Sequence, residues 1–343
     1  MANILIIRLS AIGDVAMALP VIYSAARANP QDRFTVLTQV FLMPVFINRP
    51  PNVEITGINT LGAEKSLDGL LRFARTYATY DFDIVLDLHH VLRTIIICSL
   101  FWLRGKKVFR LDKARKERGR LVRRRCKELK PLRPVMERYA DVFKAAGLRC
   151  PDRFDLLFEE NYPMKTAGIA NLTEAKQGKW IGIAPFAKHR GKIYPPSRME
   201  EVVAVLSGRE DATLFLFGAR GREQELLADW ASRYPRVKNV AGRYALDAEL
   251  FLIRRLDVLL CMDSANMHFA SLVGTPVISI WGATHPYAGF YGYLQPPELA
   301  IQRDLPCRPC SIYGNKPCYR KDWACLRQLQ PGLILQKIED FLS

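Results

Sequence analysis

The stretch that most constrains the fold is residues 256–286, which read LDVLLCMDSANMHFASLVGTPVISIWGATHP. An apolar run at 258–262 is followed by a turn rich in capping residues. Helical spacing then continues to Gly274, and a second apolar run follows at 277–281. This pattern predicts a strand, a turn, a helix, a second strand and a loop. Two parallel strands joined by one helix are typical of an open α/β sheet.

Polar residues follow both predicted strands. Asp263 and Ser264 come after the first strand, Thr284 comes after the second, and His268 lies in the first half of the helix. Open α/β sheets bind ligands at the carboxyl ends of their strands, so we expect these residues to face one crevice. Free amides at the start of the helix favour an anion. If each residue is considered alone, Asp263 or Ser264 can be explained as a helix N-cap, and His268 can be explained as a helix residue with satisfied hydrogen bonds. The clustering of all these polar residues favours a binding site instead.

Three motifs of this stretch carry a family resemblance. D-S-A-x-x-H at 263–268, A-x-x-x-G-x-P at 270–276 and G-A-T-x-P at 282–286 resemble the donor-binding signature of glycosyltransferase family nine, which includes the bacterial lipopolysaccharide heptosyltransferases. The family usually has D-T-G where this chain has D-S-A, so Ala265 adds a methyl group where backbone approaches the nucleotide. The donor-binding residues that the resemblance implies are Lys188, Glu223, Asp263, Ser264, Ala265, His268, Gly282 and Thr284.

The resemblance implies the GT-B fold, in which two Rossmann-like doubly wound α/β domains face each other across a cleft. A chain of 343 residues with 49% hydrophobic content is also too long for one ordinary core. We expect an acceptor-binding domain at 1–155 and a nucleotide-sugar-binding domain at 156–328. The last helix, in 329–343, is expected to pack back on the first domain.

The amino-terminal pattern supports the same family. A buried-strand pattern at 3–8 leads into S-A-I-G-D at 10–14, whose single glycine excludes the G-x-G-x-x-G fingerprint of a Rossmann dehydrogenase. The segment is similar to the family's S-x-x-G-D, and the resemblance implies that Asp14 is the catalytic base. A carboxylate at a strand-to-helix turn can accept the proton of an acceptor hydroxyl. The simpler interpretation is that Asp14 only caps its helix.

Two further loops match the family. The segment Lys192-Ile193-Tyr194-Pro195 resembles a family motif in which a lysine precedes Trp-Pro by two residues. The resemblance implies that Lys192 neutralises the departing diphosphate, whereas the simpler interpretation is a lysine on a mobile surface loop. After the predicted strand at 213–217, the family has an acid on the nucleotide ribose. We assign that role to Glu223, with Glu225 as the alternative, since a carboxylate can bridge two vicinal hydroxyls.

The net charge of +16 indicates an anionic partner. Residues 104–130 contain fourteen Lys or Arg and three acids, a net +11. Lys113 to Lys130 has helical spacing with little apolar face, which is usually a solvated helix. Phosphates of a lipopolysaccharide acceptor or of a membrane surface would suit this charge. No nucleic acid is expected, because the run lacks aromatic interleaving and a recognisable binding module.

Acceptor-binding residues are expected in the amino-terminal half. The predicted strand at 82–88 ends in His89-His90, where the family commonly has Gln-Gly; histidines there could touch the acceptor or be ordinary solvated or core residues. The predicted acceptor-binding set is Ser10, Gly13, His89, Arg93, Arg110, Arg115 and Arg118.

The cysteines and apolar runs bear on cofactors and location. Residues 1–8 lack the features of an export signal, and the apolar run at 95–103 is too short to span a bilayer. We therefore expect a cytoplasmic protein, peripheral at the inner membrane, whose cysteines are thiols or metal ligands. No cofactor is required for the chemistry. A structural zinc site is possible in the tail at Cys307, Cys310, Cys318 and Cys325.

The resulting hypothesis is an inverting glycosyltransferase that moves heptose from ADP-heptose to the lipopolysaccharide inner core. Asp14 would be the base, and Lys192 would assist the leaving diphosphate. Two alternatives stay open. One is a related GT-B transferase that uses another nucleotide sugar, and the other is a non-catalytic basic protein that binds anionic lipid or RNA.

Overall fold

The structure, a computed structural model, describes residues 1–158, 169 and 176–343. The chain divides into two compact units. Unit 1 comprises Met1–Ala114 and Arg133–Leu157, and unit 2 comprises Arg115–Leu132 and Phe158–Ser343. A helix expected at 164–175 falls, apart from residue 169, outside the described residues.

A parallel five-stranded sheet forms the centre of unit 1. Its strands are β1 (Asn3–Ile7), β2 (Arg33–Gln39), β3 (Val53–Ile58), β4 (Ile84–Asp87) and β5 (Lys107–Arg110), in the order β3-β2-β1-β4-β5. The helices up to residue 157 are α1 (Ile12–Ala28), α2 (Leu67–Tyr77), α3 (Leu92–Leu103), α4 (Arg115–Leu121) and α5 (Val135–Ala145). Of these, α4 belongs to unit 2.

Burial explains the character of these elements. Helix α1 is apolar on nearly all sides because every residue from 15 to 26 is buried, and it contacts α5 and the 3₁₀ helix Val40–Val45. Helix α2 has a single buried face. Leu5 and Ile7 of β1 lie in one hydrophobic cluster with Phe101 of α3. Since the sheet is covered by helices, its central strands are continuous apolar runs.

Unit 2 contains a parallel six-stranded sheet. Its strands are β6 (Lys179–Ala184), β7 (Ala212–Leu216), β8 (Val237–Asn239), β9 (Val258–Met262), β10 (Val277–Trp281) and β11 (Ala300–Gln302), in the order β11-β10-β9-β6-β7-β8. The helices are α6 (Pro196–Ser207), α7 (Arg222–Arg233), α8 (Leu246–Arg254), α9 (Ala265–Leu272), α10 (Ala324–Arg327) and α11 (Pro331–Leu342). The strand-helix-strand prediction for 256–286 is confirmed by β9, α9 and β10.

Each sheet contains one point at which the strand order reverses. In unit 1 the chain builds outward from β1 through β2 and β3, and then returns to add β4 on the other side of β1. In unit 2 it builds from β6 through β7 and β8, and then adds β9 beside β6. Loops that leave two such strands diverge and open a crevice at their carboxyl ends. The two crevices therefore lie at the ends of β1/β4 and of β6/β9.

The basic run is organised differently from its prediction. The continuous helix expected at 113–130 is wrong beyond Leu121, because only α4 is helical there. Beyond α4 the segment instead bonds to other parts of unit 2, since Lys127 Nζ donates to Pro306 O and Pro309 O. The segment between α4 and α5 runs along unit 2 and forms a hydrogen bond from Leu132 N to Tyr287 O.

The last helix, α11, is part of the core of unit 2. Ile334 and Ile338 are fully buried in the same cluster as Met199 and Val202 of α6. The expected contact of this helix with the amino-terminal domain stays a prediction. Within the described ranges, none of the helices is both long and apolar enough to span a bilayer.

Replacing Ile338 with Ala should lower the free energy of unfolding by about 2–5 kcal/mol, because it removes a fully buried side chain and leaves a cavity between α11 and α6. Leu333, on the same helix, is 46% exposed, so Leu333→Ala is the matched control and should cost less than about 1 kcal/mol. Chemical denaturation measures both values. Equal losses would show that α11 does not pack as described.

Candidate active site

The crevice of unit 2 contains an ion pair between two residues of the predicted site. Lys192 Nζ lies 2.9 Å from Asp263 Oδ2, and the side chains are 17% and 4% exposed. Lys192 ends the 3₁₀ helix Arg190–Lys192 after β6, and Asp263 directly follows β9. A buried carboxylate needs such a partner, because an isolated charge in the interior is strongly destabilising. The fold therefore holds a lysine ammonium at the strand reversal.

Two buried hydroxyls that follow β9 and β10 have no hydrogen-bond partner among the described residues. Ser264 Oγ and Thr284 Oγ1 are inaccessible to solvent and form no hydrogen bond with any described residue. Ser264 occupies the N-cap position of α9, yet its side chain does not cap the helix. A buried hydroxyl without a partner costs about 1–3 kcal/mol. Hydroxyls at the ends of neighbouring strands are therefore available to a ligand, and the simple capping interpretation of Ser264 is wrong.

Helix α9 adds main-chain donors to the same place. It begins at Ala265, directly after Asp263 and Ser264, and its first amides have no intrahelical partners. These amides and the ammonium of Lys192 create a positive environment in which an anionic group such as a diphosphate would be stabilised. His268 lies buried one turn into the helix.

Close backbone contacts explain two glycines of this crevice. A methyl group on Gly282 would lie 2.5 Å from Gly191 O, and one on Gly191 would lie 2.6 Å from Gly314 O. Ala283 N donates to Gly191 O at 2.8 Å, and Gly191 N donates to Gly314 O at 3.3 Å. The loops after β6 and β10 and the tail therefore pack main chain against main chain. Gly282 has a structural reason to be glycine, apart from any contact with a donor.

Arg308 was missed by the sequence analysis and fixes the loop after β10. Its buried guanidinium donates to four carbonyl groups and to the side-chain oxygen of Gln302. The carbonyls belong to Trp281, Gly282, Thr284 and Arg303. Burial lowers the pKa of Arg308 from its ordinary value. Its only sequence signal is an arginine within C-R-P-C, a motif whose cysteines suggest a metal site instead.

The remaining donor residues lie on loops at the same edge of the sheet. Glu223, in the first turn of α7, accepts a hydrogen bond from Ala219 N at 2.8 Å, so its carboxylate turns back over the loop that follows β7. Lys188 is exposed on the loop after β6. Both loops leave neighbouring strands of the unit 2 sheet. A ribose role for Glu223 and a donor role for Lys188 stay predictions.

The crevice of unit 1 is centred on an ion pair between Arg8 and Asp14. Arg8 follows β1, and its Nη2 lies 2.7 Å from Asp14 Oδ2. Its Nη1 donates to Leu88 O at 2.6 Å, and its guanidinium lies 5.7 Å from the ring centre of Tyr139. Asp14 also accepts from Ala11 N at 3.2 Å, so the capping interpretation is correct in part. The ion pair with Arg8 goes beyond capping.

Arg8 is the second residue that sequence reasoning missed. It is 5% exposed, although it is an arginine at the end of an apolar strand. A buried guanidinium that contacts both loops at the strand reversal fixes the direction of the Asp14 carboxylate. The sequence does contain a signal for Arg8, since it directly follows a run of apolar residues typical of a buried strand. A charged residue at such a position is buried only if it has a partner.

His89 lies beside this pair and stays neutral. Burial, with the Arg8 and Lys113 cations, lowers the pKa of His89 to about 3, while Asp14 opposes the shift. Its Nδ1 is buried and has no hydrogen-bond partner among the described residues. A neutral imidazole there can accept a hydrogen bond from a hydroxyl group. His90 instead lies against Leu111 O at 2.8 Å.

The other predicted acceptor residues are not gathered into one cluster. Ser10 and Gly13 flank Asp14 along the chain, and Arg93 binds the carbonyls of Thr60 and Lys65 at the start of α3. Arg110 and Arg115 are exposed. Arg118 belongs to unit 2, where its guanidinium donates to Tyr313 Oη and covers Phe290. Its guanidinium is buried by this packing, and its assignment as an acceptor cation stays a prediction.

The tail cysteines do not form a metal shell in the described part of the chain. All eight cysteines have free thiols. No group of three or more His, Cys, Asp or Glu residues within the described ranges is arranged to hold a metal ion. The possible zinc site at Cys307, Cys310, Cys318 and Cys325 is therefore not supported.

A family model described as glycosyltransferase family 9 (heptosyltransferase) matches residues 70–317. The chain belongs to this family. It is 23% identical over 287 residues to the lipopolysaccharide core heptosyltransferase OpsX of Haemophilus influenzae, covering 83% of this chain and 80% of that protein.

Solved structures of the family share the fold. A glycosyl transferase family 9 structure from Veillonella parvula has a TM-score of 0.74 at 18% identity, covering 99% of this chain and 97% of that one. The E. coli heptosyltransferase WaaC with ADP-2-deoxy-2-fluoro heptose has a TM-score of 0.68 at 18% identity, covering 98% and 99%. The predicted family and fold class, a GT-B protein with two Rossmann-like α/β domains, are confirmed. This family 9 protein is a glycosyltransferase, and its membership indicates glycosyl transfer in lipopolysaccharide core synthesis.

The family 9 chain should lose stability in acid through His285. Burial, with Arg308, lowers the pKa of His285 to about 4, and its Nδ1 accepts a hydrogen bond from Tyr287 N. Between about pH 6.5 and 4 the unfolded chain gains a proton there and the folded chain does not, so stability falls as the pH falls.

His285→Asn retains an acceptor near Tyr287 N and should remove roughly 2 kcal/mol of that loss. His89 shifts the stability in the same direction and remains intact in the variant. Urea denaturation of both proteins at pH 7 and pH 4.5 measures the difference. Parallel losses in the two proteins would contradict the assignment.

Proposed function

We propose that this protein transfers heptose from ADP-heptose to the lipopolysaccharide inner core, with inversion at the anomeric carbon. The observation that carries the proposal is the cluster at the ends of β6, β9 and β10. The ends of these strands carry an ammonium, helix amides and two hydroxyls that have no hydrogen-bond partner among the described residues. Such a set of donors suits a diphosphate, and the proposal assigns that diphosphate to the donor nucleotide sugar.

Asp14 is the proposed base. Its carboxylate would accept the proton of the acceptor hydroxyl, which then attacks the anomeric carbon. Arg8 supports this role as a positioning residue, because it pairs with Asp14 at 2.7 Å and is itself bound to Leu88 O. His89 would receive a hydrogen bond from the acceptor through its neutral ring. The bond from the anomeric carbon to the diphosphate breaks as the new glycosidic bond forms.

Lys192 is the proposed partner of the leaving diphosphate. In the free protein its ammonium pairs with Asp263, and a bound diphosphate would offer it a second anion. Negative charge on the leaving group grows in the transition state, so a lysine fixed beside it lowers the barrier. Ser264, His268 and Thr284 would contact the donor, and Glu223 would bind the ribose. These groups supply the neutralisation, so the proposal requires no metal cofactor.

The acceptor is proposed to be an anionic glycolipid at the cytoplasmic face of the inner membrane. The net charge of +16 and the exposed cations at Arg110 and Arg115 support an anionic partner. Such a protein would be cytoplasmic and peripheral at the membrane surface.

The donor should be identified by thermal melting with a panel of nucleotides and nucleotide sugars. ADP-heptose should raise the melting temperature more than UDP- or GDP-sugars do, because a ligand that binds only the folded state stabilises it by mass action. Mass spectrometry of a truncated lipopolysaccharide acceptor should then detect one added heptose. A rise in melting temperature with UDP-sugars alone would identify a UDP-sugar as the donor in place of ADP-heptose. This alternative is relevant because Ala265 stands where the family has glycine. RNA binding without any nucleotide effect would instead favour the non-catalytic alternative.

Asp14→Asn should lower kcat about 100- to 10,000-fold, because the amide cannot accept the acceptor proton. Its Kd for ADP-heptose should stay within about twofold, since the proposed donor groups lie in unit 2. Isothermal titration and initial rates measure the two quantities. Asp68→Asn is the matched control, because it removes another first-turn carboxylate paired with an arginine, Arg72. Full turnover by Asp14→Asn would remove the base from the mechanism.

A further inference from the structure

The basic run 115–132 and the tail of unit 2 form one surface. Lys127 Nζ donates to Pro306 O at 3.2 Å and to Pro309 O at 2.9 Å. Burial lowers the pKa of Lys127, in agreement with an ammonium group that is partly buried against the tail. Leu132 N, at the end of the run, donates to Tyr287 O at 2.9 Å. The run is therefore fixed at two separate places in unit 2, one in the tail and one in the loop after β10.

Arginine and aromatic side chains complete the attachment. Arg118 donates to Tyr313 Oη at 3.0 Å and lies 4.8 Å from the ring centre of Phe290. The guanidinium of Arg124 lies 4.4 Å from the ring centre of Tyr319. These contacts join α4 and the turn after it to the tail segment 313–321. We refer to residues 115–132 and 313–321 together as the basic patch.

Most cations of the basic patch remain exposed, including Arg124, which also takes part in the attachment. The exposed cations are Arg115, Lys116, Arg120, Arg123, Arg124, Arg125, Lys130, Lys316, Arg320 and Lys321. Two nearby acids are already paired, Glu128 with Arg120 and Asp322 with Arg320. The patch therefore has a large positive excess, to which the tail adds cations that the sequence analysis did not include.

Exposed apolar and aromatic groups lie among these cations. Tyr313, Tyr319 and Leu129 are 46%, 41% and 50% exposed. Tyrosine rings and leucine side chains beside lysine and arginine are typical of surfaces that rest on the headgroup layer of a bilayer. The cations are spread over two chain segments and are exposed, which suits an extended anionic surface better than a single small ligand.

We propose that the basic patch is the surface by which this enzyme docks on acidic phospholipid bilayers. The cations would bind lipid phosphates, and Tyr313, Tyr319 and Leu129 would enter the headgroup layer. Nucleic acid fits less well, because Arg124 already covers Tyr319, a ring on which an unpaired base would otherwise stack. The inference names the membrane partner within the proposed function, but it depends on neither the donor nor Asp14.

The test is cosedimentation of the full chain with vesicles of phosphatidylcholine, with and without phosphatidylglycerol. Binding should require phosphatidylglycerol and weaken as salt is raised. Arg123→Gln, Arg124→Gln and Arg125→Gln together should lower the partition coefficient roughly 100-fold. The matched control carries Arg33→Gln, Arg72→Gln and Arg75→Gln, which removes the same charge from exposed positions in unit 1, and should change it less than about threefold.

Two further measurements keep the inference distinct from the proposed function. Tyr319→Ala removes the ring that Arg124 covers, and it should weaken vesicle binding more than Tyr80→Ala, an exposed tyrosine of unit 1. Turnover of a water-soluble truncated acceptor without vesicles should be the same in the triple patch variant and in the unaltered protein.

Several outcomes would overturn the docking surface while leaving the chemistry intact. These are equal binding by the patch and control variants, binding to phosphatidylcholine alone, or salt-sensitive binding to single-stranded RNA without vesicle binding. If vesicle binding follows the patch and no heptosyl transfer is found, the proposed function fails and the docking surface stands. Thermal melting of each variant verifies that the substitutions leave the fold unchanged.

Discussion

The reversal of strand order beside the first strand of each unit is the constraint on which the two candidate sites depend. Loops leaving β1 and β4, or β6 and β9, pass to opposite faces of their sheets and leave a crevice between them. In unit 1 that crevice contains Arg8, Asp14 and His89, and in unit 2 it contains Lys192 and Asp263. Topology alone therefore brings together residues that are far apart in the chain.

Buried charge determines what each crevice can do. Asp263 and Arg8 are nearly inaccessible, and each has a counter-ion within 3 Å. Breaking such a pair by removing one partner costs about 3–5 kcal/mol, so both pairs fix the side chains that are proposed to act in the transfer. Ser264 and Thr284 are different, because their buried hydroxyls have no partner in the described chain and must be stabilised from elsewhere. The crevice of unit 2 thus combines a fixed ion pair, Lys192 with Asp263, and hydroxyl groups that can still form hydrogen bonds.

The sequence was sufficient for the elements whose evidence is local. Apolar periodicity predicted β9 and β10 at their observed bounds, because buried strands carry their pattern in a few consecutive residues. The roles of Arg8 and Arg308 were not predictable in the same way. Besides its ion pair with Asp14, Arg8 donates to a carbonyl 80 residues away, and Arg308 donates to carbonyls up to 27 residues away. No side-chain pattern encodes a main-chain acceptor. The helix expected at 113–130 failed because tertiary contacts with the tail replaced helical hydrogen bonds.

The position of residues 115–132 has a consequence for how the polypeptide can be divided. The chain leaves unit 1 after residue 114, returns at 133 and leaves again after 157, so neither unit is one continuous stretch. A carboxyl-terminal fragment that begins at residue 158 would lack the segment that contains Lys127 and Leu132. The carbonyls of Pro306, Pro309 and Tyr287 would then lose these hydrogen-bond donors. Exchanging the carboxyl-terminal units of relatives would therefore require transplanting residues 115–132 together with the carboxyl-terminal portion.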